Sequence, residues 1–174
     1  MKPADDFNKN NRNRTGENFK KNLGNFNVFR LKDSKSNTLM INYSRPDCYK
    51  IGLIRGRKDH YKENKAEMEN TILTFFSPES PYVGELLSGD HTGFICIFRK
   101  SFFSEIFRYK INALPIFKSG EEREQHLTEG QDRQLSEIFE KMERETASDY
   151  LFKDDLIRNY LAEIIHTALK ISRY

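Results

Sequence analysis

From residue 26 to residue 118 hydrophobic and polar positions mostly alternate, and beyond residue 100 apolar residues begin to recur at helical spacing. Phe26 to Leu31 opens the alternating part, and the polar stretch Asp33–Asn37 predicts a turn after it. Cys48 to Arg55 places Tyr49, Ile51 and Leu53 on one face, and Gly56 closes the run. Lys58 to Glu63 reads as a short polar strand around Tyr61, with Asn64-Lys65 as its turn. Thr71 to Phe76 is β-branched and aromatic, and Pro78 and Pro81 stop it because proline cannot donate to a strand ladder. Tyr82 to Leu87 follows, then the turn Ser88-Gly89-Asp90. Phe94 to Phe98 is apolar at every position, which predicts a strand buried on both faces. Short strands at this spacing, punctuated by Gly and Pro, predict a sandwich or a barrel.

The period changes after Arg99. Ser101 is placed to cap a short helix carrying Phe102, Phe103, Ile106 and Phe107, and Pro115 falls in an extended link. Thr128 with Gln131 has the form of a capping box, followed by the stripe Leu135, Ile138, Phe139 and Met142. A last helix is predicted from Ser148 or Asp149. Its apolar positions, Leu156, Ile157, Tyr160, Leu161, Ile164, Ile165, Ala168 and Leu169, spread over about 220° at 100° per residue, wider than one contact face needs. Such a helix meets two surfaces. One is its own domain; the second is either a partner chain, met through Leu156, Tyr160, Leu161, Ile164, Ile165 and Ala168, or more of the same chain.

Composition supports one folded domain with an appendage. The chain has 174 residues, 37% hydrophobic and 32% charged, with 14 Phe and 8 Tyr, enough to bury a core. Residues 1–25 form an Asn-rich leader with six basic and three acidic residues, which carries the whole net charge of +3 and reads as a flexible terminus. Residues 26–118 carry +5 and residues 119–174 carry −5, so the two parts should attract each other, and no broad basic face for DNA is expected. No apolar run approaches the roughly 18 residues of a membrane span and no signal peptide opens the chain, which points to a cytoplasmic protein.

Candidate chemistry is sparse. The histidines His60, His91, His126 and His166 show no metal-ligand spacing, the nine Gly are isolated, and there is no nucleophile elbow. No metal, no cofactor and no catalytic constellation is therefore expected. Cys96 reads as a core thiol, Cys48 as a packing residue near a strand start, and Glu121-Glu122-Arg123-Glu124 as a solvated loop. What remains is a small barrel able to hold one ligand. Tyr49, Tyr61, Tyr82 and Phe94 are the aromatics near its mouth and Arg45 is the cation, a set suited to a polar, hydroxylated or anionic molecule. Each tyrosine fits equally well as an ordinary half-buried strand residue.

The order of parts resembles the N-terminal regulatory half of AraC-family transcription regulators. The segments that carry the likeness are Phe26-Asn27-Val28-Phe29-Arg30-Leu31, Tyr49 to Gly56, Phe75 to Tyr82, Gly93 to Phe98, Leu114-Pro115-Ile116-Phe117 and Asp155 to Tyr160. They cover about residues 26–171 and look closest to members from Bacteroides-type bacteria. The resemblance implies an α+β chain: a cupin-like antiparallel barrel over 26–118 with a short helix near 101–109, then two long helices over 119–174 that pair two copies into a homodimer. It implies a small-molecule effector in the barrel. Arg45-Pro46 is similar to a pair near the effector of the arabinose-responsive member, and Tyr82 falls near a ligand-contacting tyrosine there. The family reads promoter DNA through a C-terminal helix-turn-helix domain with no counterpart in these residues, so the expectation is a truncated or stand-alone sensory domain. The alternatives are a cupin-type isomerase or dioxygenase, which a bound metal would reveal, and an interaction or dimerisation module whose barrel is filled.

Overall fold

A computed structural model describes residues 24–31, 48–57, 70–79, 91–118 and 124–172. The predicted turn at 33–37, the strands at 58–63 and 82–87, the turns at 64–65 and 88–90, and nearly all of the leader lie outside these residues. The described chain is α+β. Five strands, β1 (Phe26–Leu31), β2 (Cys48–Arg57), β3 (Asn70–Phe76), β4 (Thr92–Arg99) and β5 (Glu124–His126), form one antiparallel sheet in the order β1-β4-β2-β3-β5. Among the described residues the sheet is open, with β1 and β5 at its edges, so the closed barrel is not part of this description. Three helices follow or flank it: α1 (Glu105–Ile111), α2 (Glu129–Thr146) and α3 (Lys153–Ile171).

The sheet has two apolar faces, and the alternation read from the sequence sorts residues between them. Val28, Tyr49, Ile51, Leu53, Leu73, Phe75, Phe94, Cys96 and Phe98 share one cluster with the buried residues of the helices. Leu31, Cys48, Ile54, Ile72, Ile95 and Ile97 form a second cluster, which among the described residues contains strand residues only. The all-apolar run in β4 is thereby explained: Phe94, Cys96 and Phe98 serve the first face, Ile95 and Ile97 the second. Burial at the second face is nevertheless nearly complete, with Ile95 and Ile97 at 0% exposure.

Two glycines shape the centre of the sheet. Gly93, at φ +126°, lies so close to β2 that a Cβ there would collide with the Leu53 carbonyl oxygen. Gly56, at φ 88°, sits inside the register shift between Ile54 and Arg57, so β2 runs on to Arg57 instead of stopping at the glycine.

The helices confirm some expectations and move others. The Thr128–Gln131 capping box is present in both directions, and Leu135, Ile138, Phe139 and Met142 are the buried residues of α2. Ser101 does not cap a helix. It sits in a 3₁₀ turn, Lys100–Phe102, and α1 begins after Ser104. Pro115 is not in an extended link but at the first position of a second 3₁₀ turn, Pro115–Phe117, where its fixed φ suits the turn and its missing N–H costs nothing. α3 starts at Lys153 rather than near Ser148, because Ser148 is used in the α2–α3 turn: its hydroxyl donates to Glu145 Oε1 at 2.7 Å and its carbonyl accepts from Lys153 Nζ at 2.9 Å. β5 replaces part of the expected solvated loop. Gln125 pairs with Leu73 across the β3 edge, and its side-chain amide donates to the Ala168 carbonyl at 3.3 Å and to Ser172 Oγ at 2.5 Å.

The opposite charges of the two sequence regions meet. Arg30 on β1 pairs with Glu143 at 2.6 Å and Glu140 at 3.6 Å on α2, and lies over the Phe94 ring at 4.5 Å. Arg55 on β2 grips Asp132 at the start of α2 through Nε at 2.8 Å and Nη2 at 2.6 Å. Thr71 and Ser136 donate to the same carboxylate at 3.2 and 3.0 Å, and Arg55 also donates to Ser136. Burial pushes the Asp132 carboxyl up, but the Arg55 and Ser136 hydrogen bonds outweigh it and hold the group below its ordinary range.

Candidate functional site

The second sheet face is the candidate site, because among the described residues it alone combines a buried cation with apolar walls that no helix occupies. Its floor is set by register. Lys50 stands opposite Phe76, Gly52 opposite Thr74, and Ile54 opposite Ile72 across β2 and β3. On the other side Lys50 and Gly52 face Ile97 and Ile95 of β4. Alternation places Lys50, Gly52 and Ile54 away from the helices because Tyr49, Ile51 and Leu53 point into them.

Lys50 is 7% exposed, and its Nζ lies 4.7 Å from the centroid of the Phe76 ring. A lysine on an isoleucine-lined face brings a positive charge to a wall that is otherwise apolar. Thr74, fully buried, donates its hydroxyl to the Gly52 carbonyl at 3.3 Å. Gly52 is required for that placement, since a Cβ there would stand 2.8 Å from Thr74 Oγ1. A lysine point charge over a ring and a hydroxyl stand on an Ile54–Ile72–Ile95–Ile97 floor, a pairing of one charged group with an apolar wall.

The residues expected at a barrel mouth are placed differently. Tyr49 and Phe94 are each 2% exposed and lie on the helix-covered face, within the core and not at an opening. Tyr49 stacks on Phe98 at 5.5 Å, meets Phe117 edge-on at 5.1 Å and donates its hydroxyl to Asn112 Oδ1. Burial, with a smaller contribution from Glu79, raises its phenol above the ordinary value and keeps it protonated. Phe94 stacks on Phe139 of α2 at 5.4 Å. Arg45, Tyr61 and Tyr82 lie outside the described residues. Lys50 and Thr74 were missed because an alternating pattern assigns polar positions to solvent. The signal that could have found them was the two-sided apolar run in β4, which requires β2 to be buried on both faces too.

The helical residues expected to meet a partner chain are mostly consumed inside the monomer. Leu161, Ile164, Ile165 and Ala168 are all at 0% exposure, packed in the main core, whereas Leu156 and Tyr160 are half-buried. Two internal surfaces account for much of the wide stripe: α3 packs along α2 on one side and against the Pro115–Phe117 turn on another. Burial drives the Cys96 thiol up to about 12, in keeping with a core role, and Cys48 is buried as well. Among the described residues no three His, Cys, Asp or Glu side chains converge. No helix of the described chain is long and apolar enough to cross a membrane. In comparisons with protein-family models and with curated proteins, the chain finds no match.

Proposed function

We propose that this chain is the effector-sensing and dimerising domain of an AraC-type transcription regulator, and that the second sheet face is the inner wall of a cupin-like barrel in which a small effector binds. The observation that carries the reading is Lys50, a cation buried over the Phe76 ring on the same sheet face as Thr74. Burial of that face without a described helix upon it supports the barrel, and the order of strands and long helices supports the family. In this reading the chain is not an enzyme, and DNA is read by a helix-turn-helix domain outside these 174 residues. A dimer would use the outer side of α3, with Leu156 and Tyr160, since the other expected interface residues are committed to the core.

The test is a thermal-shift screen of metabolites bearing a carboxylate, phosphate or several hydroxyls. A ligand at 100 times its dissociation constant stabilises by about 2.7 kcal/mol. A true effector raises the melting temperature of the unmodified chain and loses that effect in Lys50→Met. Hits that act equally on both proteins, or a panel without hits, would sink the assignment of this face.

A further inference from the structure

A groove of about 530 Å³ opens on the helical side of the molecule, between the segment 101–108 and the first turns of α3. Its chemistry differs from the sheet face. Two arginines enter it from separate elements, and each is anchored to the backbone by its Nε: Arg158 donates to the Phe102 carbonyl at 2.6 Å, and Arg108 to the Phe103 carbonyl at 3.0 Å. Anchoring at Nε fixes the plane of a guanidinium and leaves its two Nη groups to act as a fork. On Arg158, Nη1 is taken by Asp155, and the guanidinium lies over the Phe102 ring at 5.1 Å. Arg108 has no such carboxylate partner among the described residues. The walls add Phe103 and Phe107, whose ring centroids are 4.4 Å apart, and Asn159 adds an exposed amide from α3.

We infer that this groove is a second binding site, for a small organic anion that joins a carboxylate or phosphate to a flat apolar group. The Arg108 fork takes the anion, because a pre-oriented guanidinium matches such oxygens two at a time and has little entropy left to lose. Phe107 and the neighbouring ring edges take the flat group, and Asn159 supplies a further donor. The Asp155 carboxylate also lines the groove, and its pairing with Arg158 keeps its charge from facing the ligand alone. The volume lies within the range of small-molecule sites. The groove is separated from the Lys50 face by the thickness of the sheet, so the two sites are independent.

Phenyl phosphate is the probe, titrated by calorimetry into the unmodified chain, with inorganic phosphate and benzyl alcohol as the charge-only and ring-only arms. The expected result is saturable binding of phenyl phosphate, at least about tenfold tighter than inorganic phosphate, with none for benzyl alcohol. Arg108→Gln should weaken it about tenfold or more, and added salt should weaken it further. Asn159→Asp, at an exposed helix position, should weaken it to a similar degree without moving the melting temperature, which covers the case that Arg108→Gln folds poorly. Lys50→Met should leave it unchanged. Absence of saturation at 10 mM probe, on the order of the weakest specific binding worth the name, would overturn the inference. So would an affinity in both groove variants equal to that of the unmodified chain, or loss in Lys50→Met, which would place the probe on the sheet face instead.

Discussion

The two faces of this sheet are made from the same strands, often from adjacent residues, and they are filled by opposite rules. On the helix-covered face every large side chain finds an aromatic or aliphatic partner: Phe94 on Phe139, Phe98 on Tyr49, Phe75 against Phe117. On the other face the buried side chains are mostly aliphatic, with Phe29 packed against them from β1, and Lys50 lies over the Phe76 ring on the β2–β3 side. The first face is a packed interior in which shape is everything. The second tolerates a charge.

The strongest way to break the comparison is to charge the first face. Ile164→Glu places a carboxylate at a position with 0% exposure, inside the α3 packing. It should abolish cooperative folding, a loss above about 4–5 kcal/mol, rather than yield a folded monomer. Circular dichroism against temperature checks it, and a folded Ile164→Glu monomer would place the interface on the Ile164 stripe instead of the outer side of α3.

The next effect comes from neighbours on opposite faces. Phe94→Ala should cost about 3–5 kcal/mol in chemical denaturation, because it empties the space against Phe139. Ile95→Ala, one residue on, should fall near 2 kcal/mol, the low end of its class, because a face able to admit solute can also admit water. Equal costs for the pair would mean that the second face is as tightly filled as the first.

A smaller effect belongs to the join between sheet and helix. Asp132→Asn leaves Arg55 without its carboxylate and should cost about 1–3 kcal/mol. The Asp132 carboxyl is held below its ordinary value in the folded chain, so its contribution is complete above the unfolded value of about 3.9 and disappears as the pH falls through the folded one. Urea midpoints measured from pH 7 down to pH 3 should therefore fall less steeply for Asp132→Asn than for the unmodified protein. The last substitution is Lys50→Met, which removes the ammonium group over the Phe76 ring from the second face. It sharpens the comparison most when it removes a ligand response without touching the melting curve.

Much of this architecture was legible in the residues. Continuous apolarity from Phe94 to Phe98 predicted a strand with two buried faces, and the Thr128–Gln131 spacing located the start of α2. The breadth of the α3 stripe required two surfaces, correctly, but periodicity measures how much of a helix is covered and not by what. β5 was illegible because Glu124-Gln125-His126 has no apolar alternation; its pairing comes from the free edge of β3. The site was half legible for a related reason. Alternation puts Tyr49 and Lys50 on opposite faces, but does not tell which face receives the helices. Once α2 and α3 settle on the Tyr49 side, the tyrosine becomes core and the lysine becomes the candidate ligand group.

The strand order β1-β4-β2-β3-β5 also governs how this chain reaches its fold. β1 is synthesised first, yet its hydrogen-bonding partner is β4, and β3 acquires its outer neighbour only when β5 emerges. Of the pairs, β2 with β3 is the nearest in sequence, so it is the natural first ladder on a ribosome. Until Thr92–Arg99 arrives, the β1 segment has no edge to join, and the Ile54 and Ile72 side chains stand on a two-stranded ribbon too narrow to shield them. Between the synthesis of β3 and that of β4 the nascent protein therefore carries an unsatisfied apolar surface, a window in which chaperones or a slowed ribosome would have the greatest influence on yield.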